Sequence, residues 1–246
     1  MLLFVALAGF GVMALAHMAP FPFLFEYIGP DRSVWHMPRS DGAPTVYLTF
    51  DDGPNPTATP QLLDVLAKEG VQATFFLIPR HVNEETAPIV RRMFDEGHAV
   101  ALHSHTRALM LKRPGDLVAS LDAAADRIEQ LTGHRPCQLF RPHAGWRGSA
   151  MYAGLDRADY KLAGWSWAMW DWNWWRAQGP EKLASRLAAR ASDGSVVVTH
   201  DGHHKNPRAD RKGTVGAMAK LVPALKSRGF TFGLLCDLPR QFSVVR

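Results

Sequence analysis

The sequence predicts an α/β fold in which parallel strands alternate with helices. Short apolar runs of strand length alternate with helical patterns from residue 45 onward, giving about seven β/α units. Each unit is too short to be a domain, and no internal repeat or low-complexity tract interrupts the series. Parallel strands with crossover helices are covered on both faces, which suits a barrel or a doubly wound sheet.

The elements follow from the local pattern and from helix start and stop signals. Thr59 and Pro60 are predicted to cap and begin a helix that Gly70 ends, and Gly97 stops the next one. The remaining predicted helices cover residues 114–131, 149–158, 181–191 and 215–228. The predicted strands cover residues 46–50, 73–77, 99–102, 138–141, 162–167, 195–199 and 231–234.

The amino-terminal segment differs in composition from the rest of the chain. Residues 1–25 contain no Asp, Glu, Lys or Arg, and Ala14-Leu15-Ala16 resembles a signal cleavage site. A buried helix or a shifted start codon are the alternatives, since Pro20 and Pro22 interrupt a straight span. We expect a signal or membrane anchor over 1–25, a linker over 26–44 and one domain over 45–240. The expected location is the cell envelope, membrane-anchored or secreted.

Composition excludes several function classes. The net charge of +5 is scattered, and no DNA- or RNA-binding motif is present, so no nucleic acid partner is expected. Cys137 and Cys236 are the only cysteines and form no CxxC pair. A cysteine zinc site and a disulfide-rich scaffold are therefore excluded, while export is neither required nor forbidden.

Polar residues follow the predicted strands at one end of the fold. In α/β folds this carboxyl edge of the sheet is where sites assemble, so residues distant in sequence meet there. A carboxylate and an imidazole together suit a zinc-like cation, and a second carboxylate could act as a base, which predicts metal-assisted hydrolysis. The strand-end residues are Asp51, Asp52, His103, His105, Arg141, Asp171 and His200.

The segment Thr49-Phe50-Asp51-Asp52-Gly53-Pro54 resembles in full the first motif of the NodB-homology polysaccharide deacetylases, carbohydrate esterase family four. The similarity extends from about residue 45 to about residue 235. It implies a distorted, incomplete (β/α) barrel of about seven units, of the glycoside hydrolase/deacetylase type. It also implies removal of acetyl groups from an N-acetylated glycan with a divalent metal, expected to be zinc.

The resemblance also implies roles for individual residues. Asp52 and His103 would bind the metal, while Arg141 would orient Asp51, the general base. The backbone N–H of Ala144 would face the oxyanion. The remaining implied roles are those of the general acid His200, its partner Asp171 and the acetyl-pocket wall Trp172. Trp174 lies past the end of the predicted strand, and this position, rather than the resemblance, predicts a substrate-facing side chain.

The motifs also depart from the family pattern. Arg107 stands where the second metal histidine is expected, and an arginine cannot bind a cation. His143 and Ala144 change the third motif, and Ala168 replaces an acidic residue in the fourth. Either His105 or His143 substitutes, or two protein groups and water hold the metal, or no metal binds.

The last of these possibilities gives the rival hypothesis, an inactive deacetylase-like protein that binds glycan. A glycoside hydrolase is the least favoured alternative. Its two carboxylates must lie roughly 5–9.5 Å apart across the sugar, and the adjacent Asp51 and Asp52 give no reason to expect that.

Overall fold

The computed structural model describes residues 2–19, 21–22, 24, 26, 32–168 and 179–238. Its strands are β1 Ser33–Val34, β2 Thr45–Gly53, β3 Thr74–Leu77, β4 Ala99–His103, β5 Leu139–Arg141, β6 Lys161–Ala163, β7 Trp167–Ala168, β8 Val196–His200 and β9 Thr231–Phe232. These strands pair in parallel in the order β1-β6-β5-β4-β3-β2-β8-β7, and β9 pairs with β2 beside this path.

Helices surround this sheet, which forms a half-barrel. The order has β1 at one end and β7 at the other, so the barrel is incomplete. The expected fold class is confirmed. The helices are α1 Leu2–Met18, α2 Ala58–Glu69, α3 Ala87–Asp95, α4 Pro114–Thr132, α5 Ser149–Arg157, α6 Pro180–Arg190 and α7 Lys212–Lys226.

The start of α2 differs from the prediction. The helix begins at Ala58, and Asn55 Oδ1 accepts hydrogen bonds from the backbone N–H groups of Thr57 at 2.9 Å and Ala58 at 3.1 Å. An asparagine oxygen therefore satisfies the free N–H groups of the first turn. Thr59, predicted as the cap, is buried and donates its hydroxyl to the Asp201 carboxylate.

The predicted strand over 162–167 is divided into β6 and β7. A Cβ atom at Gly164 would lie 2.1 Å from the Trp35 ring and would collide with it. The Trp35 ring therefore packs directly against the Gly164 backbone. Just before Trp35, β1 pairs in parallel with β6, in a stretch that the sequence predicted as a linker. Two residues are too few for a period-two pattern to be recognised.

A disulfide joins the middle of the domain to its carboxyl-terminal end. Cys137, just before β5, is bonded to Cys236, just after β9, across a sequence separation of 99 residues. At the other end of the chain, α1 exposes large apolar side chains such as Leu3, Phe4 and Phe10. None of the described helices is both long enough and apolar enough to cross a membrane.

Candidate active site

Strand register brings the predicted site residues to one edge of the sheet. Asp51 of β2 is paired with His200 of β8, and His103 of β4 is paired with Arg141 of β5. All four stand at or near the carboxyl ends of their strands. These four residues therefore meet the expectation that the polar residues at the strand ends lie together. We call this region, at the carboxyl edge of the sheet, the mouth.

A buried arginine holds Asp51. Arg141 is completely buried, and its Nη1 donates to Asp51 Oδ1 at 2.6 Å and to Thr49 Oγ1 at 2.7 Å. Its Nη2 donates to the Gly164 carbonyl at 2.8 Å, and the guanidinium lies 3.9 Å from the Phe76 ring centroid. The bond to Arg141 uses one side of the Asp51 carboxylate and fixes its orientation.

A β-bulge turns Asp52 toward the mouth. The pairing of β2 with β3 shifts between Asp51 and Gly53, and Asp52 has a φ of 71°. Neighbouring strand residues normally point to opposite faces, and a bulge re-aims one of them. Asp52 is buried, and its Oδ1 has no hydrogen-bond partner among the described residues.

Three side chains face one another closely enough to hold a cation, and we call them the metal triad: Asp52, His103 and His143. Their potential ligand atoms all lie within 4.8 Å of one another. His103 Nδ1 lies 2.8 Å from the Arg141 carbonyl, which can only accept, so this nitrogen carries the proton. The other ring nitrogen of His103, Nε2, lies 3.4 Å from Asp52 Oδ1.

The electrostatics of the metal triad favour a neutral His143 beside a charged Asp52 carboxylate. Burial, with the neighbouring His103, lowers the pKa of His143 to about 4. Burial by itself raises the pKa of Asp52, but His103, His200 and His143 outweigh it and hold that pKa below its ordinary value. Two imidazoles and one carboxylate, whose buried Oδ1 has no hydrogen-bond partner among the described residues, form a donor set that fits a zinc-like cation.

The loop after β5 carries two of the predicted residues. The backbone N–H of His143 donates to Ser104 Oγ at 2.8 Å, which ties this loop to the end of β4. Ala144 follows with a φ of 54° and is exposed. Its predicted role at the oxyanion position stays a prediction.

Arg107 and His105 do not belong to the metal triad. The exposed Arg107 guanidinium lies 4.9 Å from the Trp146 ring centroid. His105 is half-buried, and burial, with Arg80 and two histidines nearby, lowers its pKa. Of the two histidines considered as substitutes for the missing ligand, the geometry favours His143.

Some predicted residues lie outside the described residues. These are Asp171, Trp172 and Trp174, so the partner of His200 and the acetyl-pocket wall stay predictions. Ala168, which replaces an acidic residue of the fourth motif, lies in β7, where its backbone pairs with Val198.

The sequence analysis missed two residues of the site. Thr49 stands two positions before Asp51, so strand alternation places both side chains on one face, a signal that could have found it. Asp201 is buried, and burial raises the pKa of its carboxyl to about 7. Nothing in the sequence distinguishes Asp201 from an ordinary loop carboxylate.

The histidine-rich loop after β8 extends to the metal triad. The rings of His204 and His143 have centroids 4.6 Å apart, and those of His203 and His204 lie 4.5 Å apart. Arg80 donates a hydrogen bond to the His204 carbonyl. The structure therefore places His204 against His143 of the metal triad.

Comparisons with known proteins agree on one family. The family model described as polysaccharide deacetylase matches residues 39–163. A chitooligosaccharide deacetylase of Sinorhizobium fredii is 36% identical over 83% of this chain and 95% of its own length. A peptidoglycan-N-acetylglucosamine deacetylase of Bacillus cereus is 31% identical over 84% and 92%.

Solved structures show the same relationship. The crystal structure of a peptidoglycan N-acetylglucosamine deacetylase has a TM-score of 0.75 at 25% identity, covering 88% of this chain and 96% of its own. A family 4 acetyl xylan esterase from Clostridium thermocellum, in complex with a cobalt ion, has a TM-score of 0.70 at 28% identity, covering 81% and 94%.

Proposed function

We propose a mechanism for this chain from the premise that it belongs to the polysaccharide deacetylase family, the NodB-homology enzymes of carbohydrate esterase family four. It is a hydrolase of carbon–nitrogen bonds other than peptide bonds, and it deacetylates polysaccharides or related glycans. In more detail, we propose that it hydrolyses the amide of an N-acetylated sugar and that a divalent cation, zinc in the cell, assists the reaction.

The metal triad is the observation that carries this proposal. The family is metal-dependent, and Arg107 removes one expected ligand from this chain. His143 offers a replacement, because its ligand atom lies within 4.8 Å of those of Asp52 and His103. A bound cation would polarise the acetyl carbonyl and acidify a water molecule. The inactive alternative rested on the missing ligand, and no observation on the described residues favours it.

The other residues would move protons and stabilise charge. Asp51, oriented by Arg141, would take the proton of the attacking water as the C–O bond forms. The oxyanion would accept a hydrogen bond from the Ala144 N–H. His200, paired with Asp51 in the sheet register, would protonate the sugar nitrogen as the C–N bond breaks, releasing acetate and an amine.

We also propose that the protein works in the cell envelope, where N-acetylated glycans are found, and that residues 1–25 direct it there. The uncharged composition of this segment and the exposed apolar side chains of α1 support the proposal. The protein with residues 1–25 should sediment with membranes or be secreted, whereas deletion of 2–18 should leave it in the cytosol. Cytosolic recovery of the full chain would contradict it.

The decisive experiment measures acetate release and metal affinity together. The full chain, stripped with a chelator, should release acetate from N-acetylated oligosaccharides only after zinc or cobalt is restored. His143→Ala should weaken Co²⁺ binding by at least about tenfold, whereas His105→Ala, the matched control, should bind as the wild type does. Asp51→Asn should bind metal and release no acetate. If His143→Ala leaves metal affinity unchanged, the proposed ligand set is wrong.

A further inference from the structure

A second buried arginine connects the amino-terminal segment to the loop that carries His143. Arg147 is completely buried, and its Nε donates to the carboxylate of Glu26, which is itself buried. Its other nitrogens donate to the backbone carbonyls of Ala19, Phe21 at 3.1 Å and Gly145 at 3.2 Å. One side chain therefore binds four groups, three in the amino-terminal segment and one in the loop.

Neighbouring groups reinforce this connection. The Arg147 guanidinium lies 4.9 Å from the Trp35 ring centroid, and Phe21 packs edge-on against Trp165 with ring centroids 6.2 Å apart. The hydroxyl of Tyr152 donates to Glu26 Oε1 at 2.8 Å, and burial, with Glu26 nearby, raises the pKa of Tyr152 to about 12. The Glu26 carboxylate thus has two buried donors, as a buried charge requires.

The contact lies close to the proposed chemistry. Gly145, whose carbonyl accepts from Arg147, follows His143 and Ala144 directly in the chain. On the other side of the loop, the His143 N–H is fixed by Ser104. The loop is therefore held at both ends, once by the barrel and once by the amino-terminal segment.

We propose that Ala19, Phe21 and Glu26 belong to the catalytic domain and that Arg147 and Glu26 are positioning residues for the loop that carries His143. We call this arrangement the clamp: Arg147, Glu26 and the carbonyls of Ala19, Phe21 and Gly145. The clamp holds His143 at the distance from Asp52 and His103 that a cation needs. The inference rests on the proposed metal-dependent function, and it requires that the functional chain retain residues 19–26 whatever happens to the segment before them.

The test separates positioning from folding by comparing two variants of the full chain. Glu26→Gln removes the negative charge and leaves the Arg147 guanidinium buried without it. The double variant Glu26→Gln/Arg147→Met removes both charges, and such replacements often restore stability. A methionine cannot donate to the three carbonyls, so the double variant breaks the contact with Gly145, whereas Glu26→Gln keeps these bonds and weakens the clamp only by removing the charge that faces the guanidinium. Asp156→Asn, which removes the exposed ion pair with Arg32, is the control.

Three readouts are needed: thermal stability, the Kd and visible spectrum of bound Co²⁺, and hydrogen–deuterium exchange of the peptide covering residues 142–148. We expect both clamp variants to exchange this peptide faster and to bind Co²⁺ roughly tenfold more weakly with an altered spectrum, even where the double variant melts as the wild type does. The control should match the wild type in all three.

Two outcomes would overturn the inference or its premise, and they are distinguishable. If the double variant keeps the wild-type Co²⁺ affinity, spectrum and exchange, the clamp does not position the loop. If the wild-type chain binds no Co²⁺, the proposed metal-dependent function fails, and exchange of the loop peptide then decides about the clamp alone.

Discussion

At the residue scale, the most important feature of this site is the buried charge of Arg141. Arg141 donates to Asp51, Thr49 and two backbone carbonyls while completely buried. Arg141→Met should abolish acetate release and lower the free energy of unfolding by about 3–5 kcal/mol, because it leaves the buried Asp51 carboxylate unpaired. Urea denaturation measures this change.

The matched control for this prediction is Arg135→Met. Arg135 pairs with Asp126 and Glu129 on the surface, with 46% of its side chain exposed. Solvent screens such pairs, so the loss should stay under about 1 kcal/mol. Equal destabilisation by the two substitutions would show that burial of the charge pair is not what matters at Arg141.

Asp201 makes the folding stability depend on pH with the opposite sign to that of a carboxylate whose pKa is lowered by folding. Its folded pKa of about 7 lies above the ordinary value of 3.8, so the folded state binds the proton more tightly than the unfolded state. The stability from this group is present below pH 4 and is lost as the pH rises to about 7.

Asp201→Asn should therefore stabilise the metal-free protein above pH 7 and leave it unchanged near pH 4. The gain is up to about 4 kcal/mol, since a tenfold change in proton affinity is worth about 1.4 kcal/mol. Thermal unfolding from pH 4 to 8 in chelator measures the difference from the wild type, with the exposed Asp41→Asn as control. A difference that does not vary with pH would contradict the raised pKa of Asp201.

At the scale of elements, the contact between α4 and α5 depends on a glycine. A Cβ at Gly154 would lie 2.9 Å from Leu117 Cδ2 and 3.0 Å from the Pro114 carbonyl oxygen. Gly154→Ala should lower the free energy of unfolding by roughly 1–3 kcal/mol, because the two helices must separate. Chemical denaturation measures the loss.

Gly115 offers the matched control, because it is exposed on α4 and a Cβ there meets nothing within 4 Å. Gly115→Ala should leave stability unchanged or raise it by up to about 1 kcal/mol through helix propensity. If both substitutions stabilise, the helices have room that the structure does not show.

At the scale of the whole molecule, the disulfide closes a long loop around the barrel. Cys137 and Cys236 are separated by 99 residues, so the cross-link restricts about half of the unfolded domain. Cys137→Ser/Cys236→Ser should lower the free energy of unfolding by about 2–4 kcal/mol. Urea midpoints with and without reductant check this: the reductant should shift the wild type and leave the double variant unchanged.

Pattern and motif in the sequence were sufficient for the α/β class, for the alternation of strands and helices from residue 45 onward, and for the placing of Asp51, His103, Arg141 and His200 at one edge. These depend on local periodicity and on the rule that parallel strands end together, and both are properties of neighbouring residues. The resemblance to the family was carried by six consecutive residues at the end of β2, Thr49 to Pro54.

Only the tertiary structure favoured His143 over His105 as the third ligand, divided one predicted strand at Gly164, raised the pKa of Asp201 and joined Glu26 to Arg147. Each of these depends on segments far apart in the chain: Glu26 and Arg147 are 121 residues apart, and Asp201 and Thr59 are 142 apart. Burial and distance between such groups are set by packing of the whole barrel, and no local pattern in the sequence encodes them.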